Sequence, residues 1–183
     1  MRVSLVNFLF DDSTSVRGAA MESARQTGLR FFRFIEARDR AYDIKSFCSV
    51  WTFSDEPLLL AANAGAAEFS DLPLTGNGAS MLGRAFSASF QRTSSQIEQL
   101  RDSLKLRRSE HATVRSILIS DLESSEEWLS EGFALAQLGR LSLVSVGGGL
   151  QRVTPKLELF SVVADASDLT DVEICRMLDL DSP

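Results

Sequence analysis

The segment Val6–Ser15, which reads VNFLFDDSTS, joins an apolar run to a turn rich in oxygen-bearing side chains. Asp11, Ser13 and Ser15 stand at alternate positions of this turn, directly after the apolar residues end. Carboxylate and hydroxyl oxygens gathered in this way suit a small hard cation such as Mg²⁺. We therefore expect a buried strand followed by a candidate metal-binding turn.

Length and composition indicate one compact domain over residues 1–183. The 183 residues are 44% hydrophobic and 24% charged, which is ordinary for a globular protein. The formal net charge is −6, so nucleic acid and anionic membrane are disfavoured as partners. The basic stretch at 105–108 is interpreted as a solvated helix end.

Histidine and cysteine are scarce, with one His and two Cys in the chain. Cys48 and Cys175 lie among apolar residues without metal-ligand spacing, which favours reduced thiols and a cytoplasmic location. Polar residues interrupt the N-terminal apolar run, so we expect neither a signal peptide nor a membrane span. Because His111 is the single histidine, a hydrolase triad or a histidine-rich zinc site is strongly disfavoured.

Hydrophobic patterning predicts strands that alternate with helices along the chain. Strands are expected at 3–10, 45–53, 57–61, 114–120, 141–146 and 159–163, and helices at 16–37, 81–104, 126–138 and 169–178. The link at 54–56 is so short that the second and third strands must pair antiparallel. The pattern therefore predicts an α/β fold with a mainly parallel central sheet, one antiparallel edge strand and helices on both faces.

Three polar residues follow predicted strand ends or open a helix. They are Asp11, Ser80 and Asp121. Because ligands of such folds bind outside the carboxyl ends of the strands, we expect these residues to converge at one edge of the sheet. Ser15 is also expected to cap the first long helix.

The motifs resemble those of von Willebrand factor A (vWA) domains. The metal-ion-dependent adhesion site (MIDAS) of that family uses D-x-S-x-S, a Thr close before a Leu-Gly pair, and an Asp that closes a buried strand. Asp11, Ser13 and Ser15 match the first element, Ser80 matches the second, and Asp121 matches the third. The resemblance implies a three-layer, Rossmann-like vWA fold.

Within that family the chain is most similar to the bacterial tellurite-resistance TerY-like proteins. These carry a run of the kind leucine-threonine-Asp-Gly-acid-x-Thr-x-x-Trp, and residues 119–128, ISDLESSEEW, follow it. The resemblance implies a bacterial cytoplasm and a stress response. It also implies a Ser/Thr protein kinase and a metal-dependent protein phosphatase as candidate partners.

The same resemblance assigns roles to the candidate ligands. The hydroxyls of Ser13, Ser15 and Ser80 would bind Mg²⁺, with Mn²⁺ or Ca²⁺ as further candidates, and Asp11 and Asp121 would act largely through water. Neutral ligands leave the ion electron-poor, so a vacant coordination position favours an Asp or Glu of a partner protein. The predicted function is a non-enzymatic, metal-dependent protein-interaction module.

Two residues depart from the family pattern. Ser80 replaces Thr, which keeps the hydroxyl but loses the methyl group that restricts its rotamer. Leu122 stands where the family commonly has Gly, so we expect a different backbone conformation after Asp121.

Two alternatives remain open. One is a metal-free scaffold that kept the fold while its site decayed. The other is a response-regulator receiver-like domain, in which Asp55 would be the phosphorylated residue and Lys105 the distal lysine. The receiver interpretation is disfavoured because Asp55 lacks the usual hydrophobic-Pro sequence after it and because Asp121 is left unexplained.

Overall fold

The computed structural model describes residues 2–103, 112–124, 127–147 and 157–178. Its strands are β1 (Arg2–Asp11), β2 (Ile44–Phe53), β3 (Pro57–Ala64), β4 (Thr113–Ser120), β5 (Arg140–Ser145) and β6 (Val162–Asp165). Its helices are α1 (Ala19–Tyr42), α2 (Leu82–Ser103), α3 (Leu129–Leu138) and α4 (Asp171–Met177). None of these helices is long and apolar enough to cross a membrane.

The six strands form one sheet in the order β3-β2-β1-β4-β5-β6. All neighbouring strands are parallel except β2 and β3, which are antiparallel. The predicted α/β fold, with a mainly parallel sheet and one antiparallel edge strand, is thereby confirmed. The chain builds outward from β1 to β3 and then returns to place β4 on the other side of β1. Strand order therefore reverses between β1 and β4, which is where such folds bind ligands.

Apolar side chains bury both faces of the sheet. On the face covered by α1 and α4, the ring of Phe8 packs edge-on against Phe32, with ring centroids 4.9 Å apart. On the face covered by α2 and α3, Leu9 shares a core with Phe86 and Trp128. Burying each such large side chain contributes roughly 2–3 kcal/mol. Because β1 supplies residues to both cores, it reads as a nearly continuous apolar run.

Helix α1 begins three residues later than predicted, at Ala19. Gly18 precedes it with φ 60°, and no side chain caps the first turn. The expectation that Ser15 caps this helix is therefore wrong. The turn before the helix instead pairs with a distant loop, since the Thr14 N–H donates to the Gly78 carbonyl at 2.9 Å.

Strand β6 begins at Val162, although the pattern predicts a strand from 159. Leu157–Leu159 form a short 3-10 turn instead. The reason is tertiary packing, because the Phe160 ring lies 6.4 Å from that of Trp128 and Leu159 shares the same core. The basic stretch at 105–108, His111, and the predicted helix ends at 104 and 126 lie outside the described residues.

A close backbone approach sets the position of β5 beside β4. Gly139 precedes β5 in an extended conformation, with φ 174°. A Cβ atom at this position would lie 2.3 Å from the carbonyl oxygen of Val114. Only glycine fits without a shift of one of the two backbones.

We expect Gly139→Ala to lower the free energy of unfolding by about 2–3 kcal/mol, because backbone must move to admit the methyl group. Urea unfolding measures this loss. The matched control is Gly65→Ala, where φ is −72° and the nearest atom is Glu68 Oε1 at 3.3 Å. A small shift of that flexible carboxylate, which accepts the Gly65 N–H at 2.6 Å, admits the methyl group, so the control is expected to change stability by less than about 0.5 kcal/mol. Equal losses in the two variants would contradict the close approach.

Candidate metal site

The structure places the five predicted ligands at the carboxyl end of the sheet, around β1 and β4. Asp11 is the last residue of β1, Ser13 and Ser15 lie in the turn after it, and Ser80 lies in the loop before α2. Asp121 follows β4 directly. All but Ser15 are buried, with at most 5% of each residue exposed.

The carboxylate of Asp11 joins the separate segments. Its Oδ1 accepts the Ser13 N–H at 3.0 Å, and its Oδ2 accepts the hydroxyls of Ser80 at 3.2 Å and Ser120 at 2.6 Å. Because the Ser80 hydroxyl donates its one proton to Asp11, its lone pairs stay available to a cation. This is the polarity that a metal-binding hydroxyl needs.

Five of the eight residues that line an open depression at this edge carry a hydroxyl group. The Oγ atoms of Ser13 and Ser15 lie 3.0 Å apart, so one donates to the other. The residues that line the depression are Ser13, Thr14, Ser15, Gly78, Ala79, Ser80, Glu123 and Ser124. The side chain of Ser15 is exposed, so the depression is accessible from outside the molecule.

Asp121 lies beside this network. Its Oδ1 accepts the Glu123 N–H at 3.0 Å, which fixes the start of the loop after β4. The negative charge of Asp121 is near enough to help raise the pKa of Asp11. The structure thus brings Asp11, Ser13, Ser15 and Ser80 into one hydrogen-bonded group and sets Asp121 at its side.

Ser120 is a residue of the site that sequence reasoning missed. Its hydroxyl donates to Asp11 and accepts the Leu122 N–H at 2.8 Å. The strand register reveals this contact. Phe10 pairs with Ile119, and the next residues along the two strands are Asp11 and Ser120. Predicting the contact between Ser120 and Asp11 therefore requires knowing that β1 and β4 are neighbours.

Leu122, which stands where the resembled family commonly has glycine, adopts a left-handed backbone conformation. Leu122 adopts φ 61°, in the left-handed region that glycine occupies readily. An L-residue with a Cβ atom adopts this conformation at a cost of about 1 kcal/mol. The loop after Asp121 therefore follows a glycine-like path despite the leucine.

The loop that carries Ser80 is anchored from two sides. The carboxylate of Asp12 accepts the N–H groups of Thr75 and Gly76. Asp55 Oδ1 accepts the Ala79 N–H at 2.9 Å. Asp55, the residue that a receiver-like domain would phosphorylate, thus supports this loop, and the candidate distal lysine at 105 lies outside the described residues.

Burial dominates the electrostatics of Asp11. Desolvation raises its pKa from 3.8 to about 6, and the charge of Asp121 adds to the increase. Hydrogen bonds from Ser120 and Ser13 oppose the increase without cancelling it. Near neutral pH the ionised carboxylate is thus incompletely compensated, and a bound cation would relieve it.

The donor set is unusual for a protein metal site. Within the part of the chain that the structure describes, no group of three or more His, Cys, Asp and Glu side chains is placed to hold a metal ion. The predicted set has two carboxylates and three hydroxyls. Oxygen donors of this kind fit a hard cation such as Mg²⁺.

Sequence comparisons find no match, whereas structural comparisons find chains of similar fold. No protein-family model matches the chain, and no curated protein matches it significantly. BatB from Bacteroides thetaiotaomicron aligns over 97% of this chain and 96% of its own, with a TM-score of 0.59 and 10% identity. The ArnB paralog VWA2 from Sulfolobus acidocaldarius aligns over 100% of this chain, with a TM-score of 0.56 and 14% identity.

The third similar structure is proximal thread matrix protein 1 (PTMP1) from the mussel byssus, solved with a zinc-occupied MIDAS motif. It aligns over 94% of this chain, with a TM-score of 0.60 and 17% identity. The chain spans less than half of the PTMP1 and VWA2 structures, at 44% and 46%.

Architecture and comparison together define a vWA-like α/β fold. At these identities the similarity establishes the fold alone. The assignment to TerY-like proteins stays a prediction.

We expect Asp11→Asn to stabilise the metal-free protein at neutral pH. Because the pKa of Asp11 is about 6 in the folded state and near 3.8 unfolded, the folded state holds this proton more tightly. Stability is therefore lost as pH rises from about 4 to 6, by at most about 3 kcal/mol. The variant escapes this loss and keeps a carbonyl oxygen for the Ser13 N–H.

Urea unfolding in EDTA at pH 4, 5, 6 and 7 tests this expectation. The stability difference between Asp11→Asn and wild type should grow with pH and level off above about pH 6. Asp71→Asn, at an exposed side chain, controls for the loss of one negative charge. A variant less stable than wild type at pH 7 would overturn the expected sign.

Proposed function

We propose that this chain is a non-enzymatic, divalent-metal-dependent protein-interaction module. One observation carries the proposal, namely that Ser13, Ser15 and Ser80 line one accessible depression backed by the buried carboxylate of Asp11. These hydroxyls would hold the cation, with Asp11 and Asp121 behind them. Mg²⁺ is the expected ion, and Mn²⁺ or Ca²⁺ are further candidates.

The charge distribution of the donor set supports a bridging role. Asp11 draws the hydroxyl proton of Ser80 inward, so a neutral oxygen faces the cation. When bound, the cation would supply an electrophilic position for a carboxylate from outside the chain. The exposure of Ser15 at the opening of the depression leaves room for such a group. The partner therefore offers an Asp or Glu side chain.

The biological setting rests on the resemblance to TerY-like proteins alone. It comprises a bacterial cytoplasm, a tellurite-type stress response, and a Ser/Thr protein kinase and a metal-dependent protein phosphatase as partners. In PTMP1, which has a similar fold, zinc occupies the MIDAS motif.

One observation favours the alternative of a metal-free scaffold. Asp11 already accepts hydrogen bonds from Ser13, Ser80 and Ser120 without any cation. Such a network is able to persist as a structural element after metal binding has been lost.

Titration of Mg²⁺ or Mn²⁺ by isothermal calorimetry separates these two functions. We expect wild type to bind, and Ser13→Ala and Ser80→Ala each to weaken binding at least about tenfold, equivalent to about 1.4 kcal/mol. Thr14→Ala is the matched control, since Thr14 lines the same depression without being a predicted ligand. Flat traces for wild type and variants alike would favour the scaffold.

Capture of a partner from cell lysate should require the metal. We expect a protein retained in Mg²⁺ to be released by EDTA and not to be retained by Asp121→Asn, in which the acceptor for the Glu123 N–H is kept. Asp71→Asn should retain it as wild type does. A partner held equally in EDTA and by Asp121→Asn would show that binding does not pass through a metal-bridged carboxylate.

A further inference from the structure

We propose that Ser120 is a positioning residue of this site, because its hydroxyl ties Asp11 to the loop after β4 and holds Leu122 in the left-handed conformation. The structural half of this inference stands by itself. The half that concerns metal affinity rests on the proposed function.

The geometry gives the Ser120 hydroxyl a defined polarity. Ser120 is fully buried, its Oγ donates to Asp11 Oδ2 at 2.6 Å, and it accepts the Leu122 N–H at 2.8 Å. Because a hydroxyl has one proton, Asp11 receives that proton and Leu122 supplies the other bond. The charge of an ionised Asp11 strengthens the first bond and, by polarisation, the second.

Leu122 needs such support. Its φ of 61° is disfavoured for any residue with a Cβ atom. Two contacts oppose the strain, namely the hydrogen bond from its N–H to Ser120 and the packing of its side chain against the core under α2 and α3. Removing the hydrogen bond leaves packing alone to hold the conformation.

The conformation of Leu122 determines where its neighbours lie. The residue before it is Asp121, whose carboxylate accepts the Glu123 N–H. Two residues after Leu122, the Ser124 hydroxyl donates to the Ser80 carbonyl at 3.1 Å. A change of backbone at Leu122 would therefore displace a predicted ligand and loosen the loop of another.

The adjacent strand supplies a matched control. Ser145 on β5 stands opposite Ser120 in the strand register and is also fully buried. Within the described residues its Oγ has no hydrogen-bond partner. Ser145→Ala thus removes a buried serine hydroxyl from the same level of the sheet without breaking the network at Asp11.

A double-mutant cycle in EDTA tests the structural half. We expect Ser120→Ala to raise the unfolding equilibrium constant about 30-fold in a chain carrying Leu122→Gly but only about 5-fold in the wild-type chain, because a leucine that has lost this hydrogen bond relaxes out of the left-handed conformation and recovers part of the loss, whereas glycine has no strain to release. Ser145→Ala should change it less than about threefold. Ser120→Thr, which keeps the hydroxyl, should recover most of the loss. Equal effects of Ser120→Ala in both chains would overturn the link to Leu122.

Mn²⁺ titration of the same variants tests the positioning half. We expect Ser120→Ala to weaken affinity about tenfold and Ser120→Thr to restore it, with Ser145→Ala unchanged. If Ser120→Ala binds Mn²⁺ as tightly as wild type, the residue is structural only and the positioning role is wrong. If wild type itself fails to bind Mn²⁺, the proposed function and the positioning role fall together, whereas coupling to Leu122 in EDTA is unaffected.

Discussion

The arrangement of the site depends on one buried carboxylate. Asp11 has no exposed surface, and a charge in such a place is tolerated only when hydrogen-bond donors surround it. Those donors come from three segments, since Ser13 follows β1, Ser80 precedes α2, and Ser120 ends β4. The hydrogen bonds to Asp11 therefore tie the turn, the loop and the strand end to one another at the point where strand order reverses.

The hydrogen bonds to Asp11 compensate its buried negative charge only in part, and this suits a cation-binding site. Despite its hydrogen bonds, the pKa of Asp11 remains raised to about 6, because burial outweighs the donors. A cation at the nearby hydroxyls would complete the compensation. At neutral pH the ionised Asp11 thus lowers the stability of the metal-free protein. Such a loss is common where binding and stability make different demands on the same residues. The left-handed backbone of Leu122 lowers the stability further.

Particular elements show how far patterns along the chain predict the fold. The six strands and the antiparallel edge follow from apolar runs and from the short link before β3. Both the apolar character of a run and the length of a link are visible in the sequence itself. The start of α1 and the position of β6 do not follow in this way. Thr14 is paired with Gly78, and Phe160 packs near Trp128. Contacts between distant residues overrode local preference in both places.

Residue patterns along the chain predict the strand-to-turn segment around Asp11, the alternation of strands and helices, and the oxygen-rich character of the candidate site. The contact between Ser120 and Asp11 and the left-handed backbone of Leu122 arise from the folded arrangement instead. The physical reason is sequence separation. Asp11 and Ser120 are 109 residues apart, and a pattern along the chain reports which residues are buried but not which strands become neighbours. The hydroxyl that completes the surroundings of Asp11 becomes visible only when β1 and β4 lie side by side.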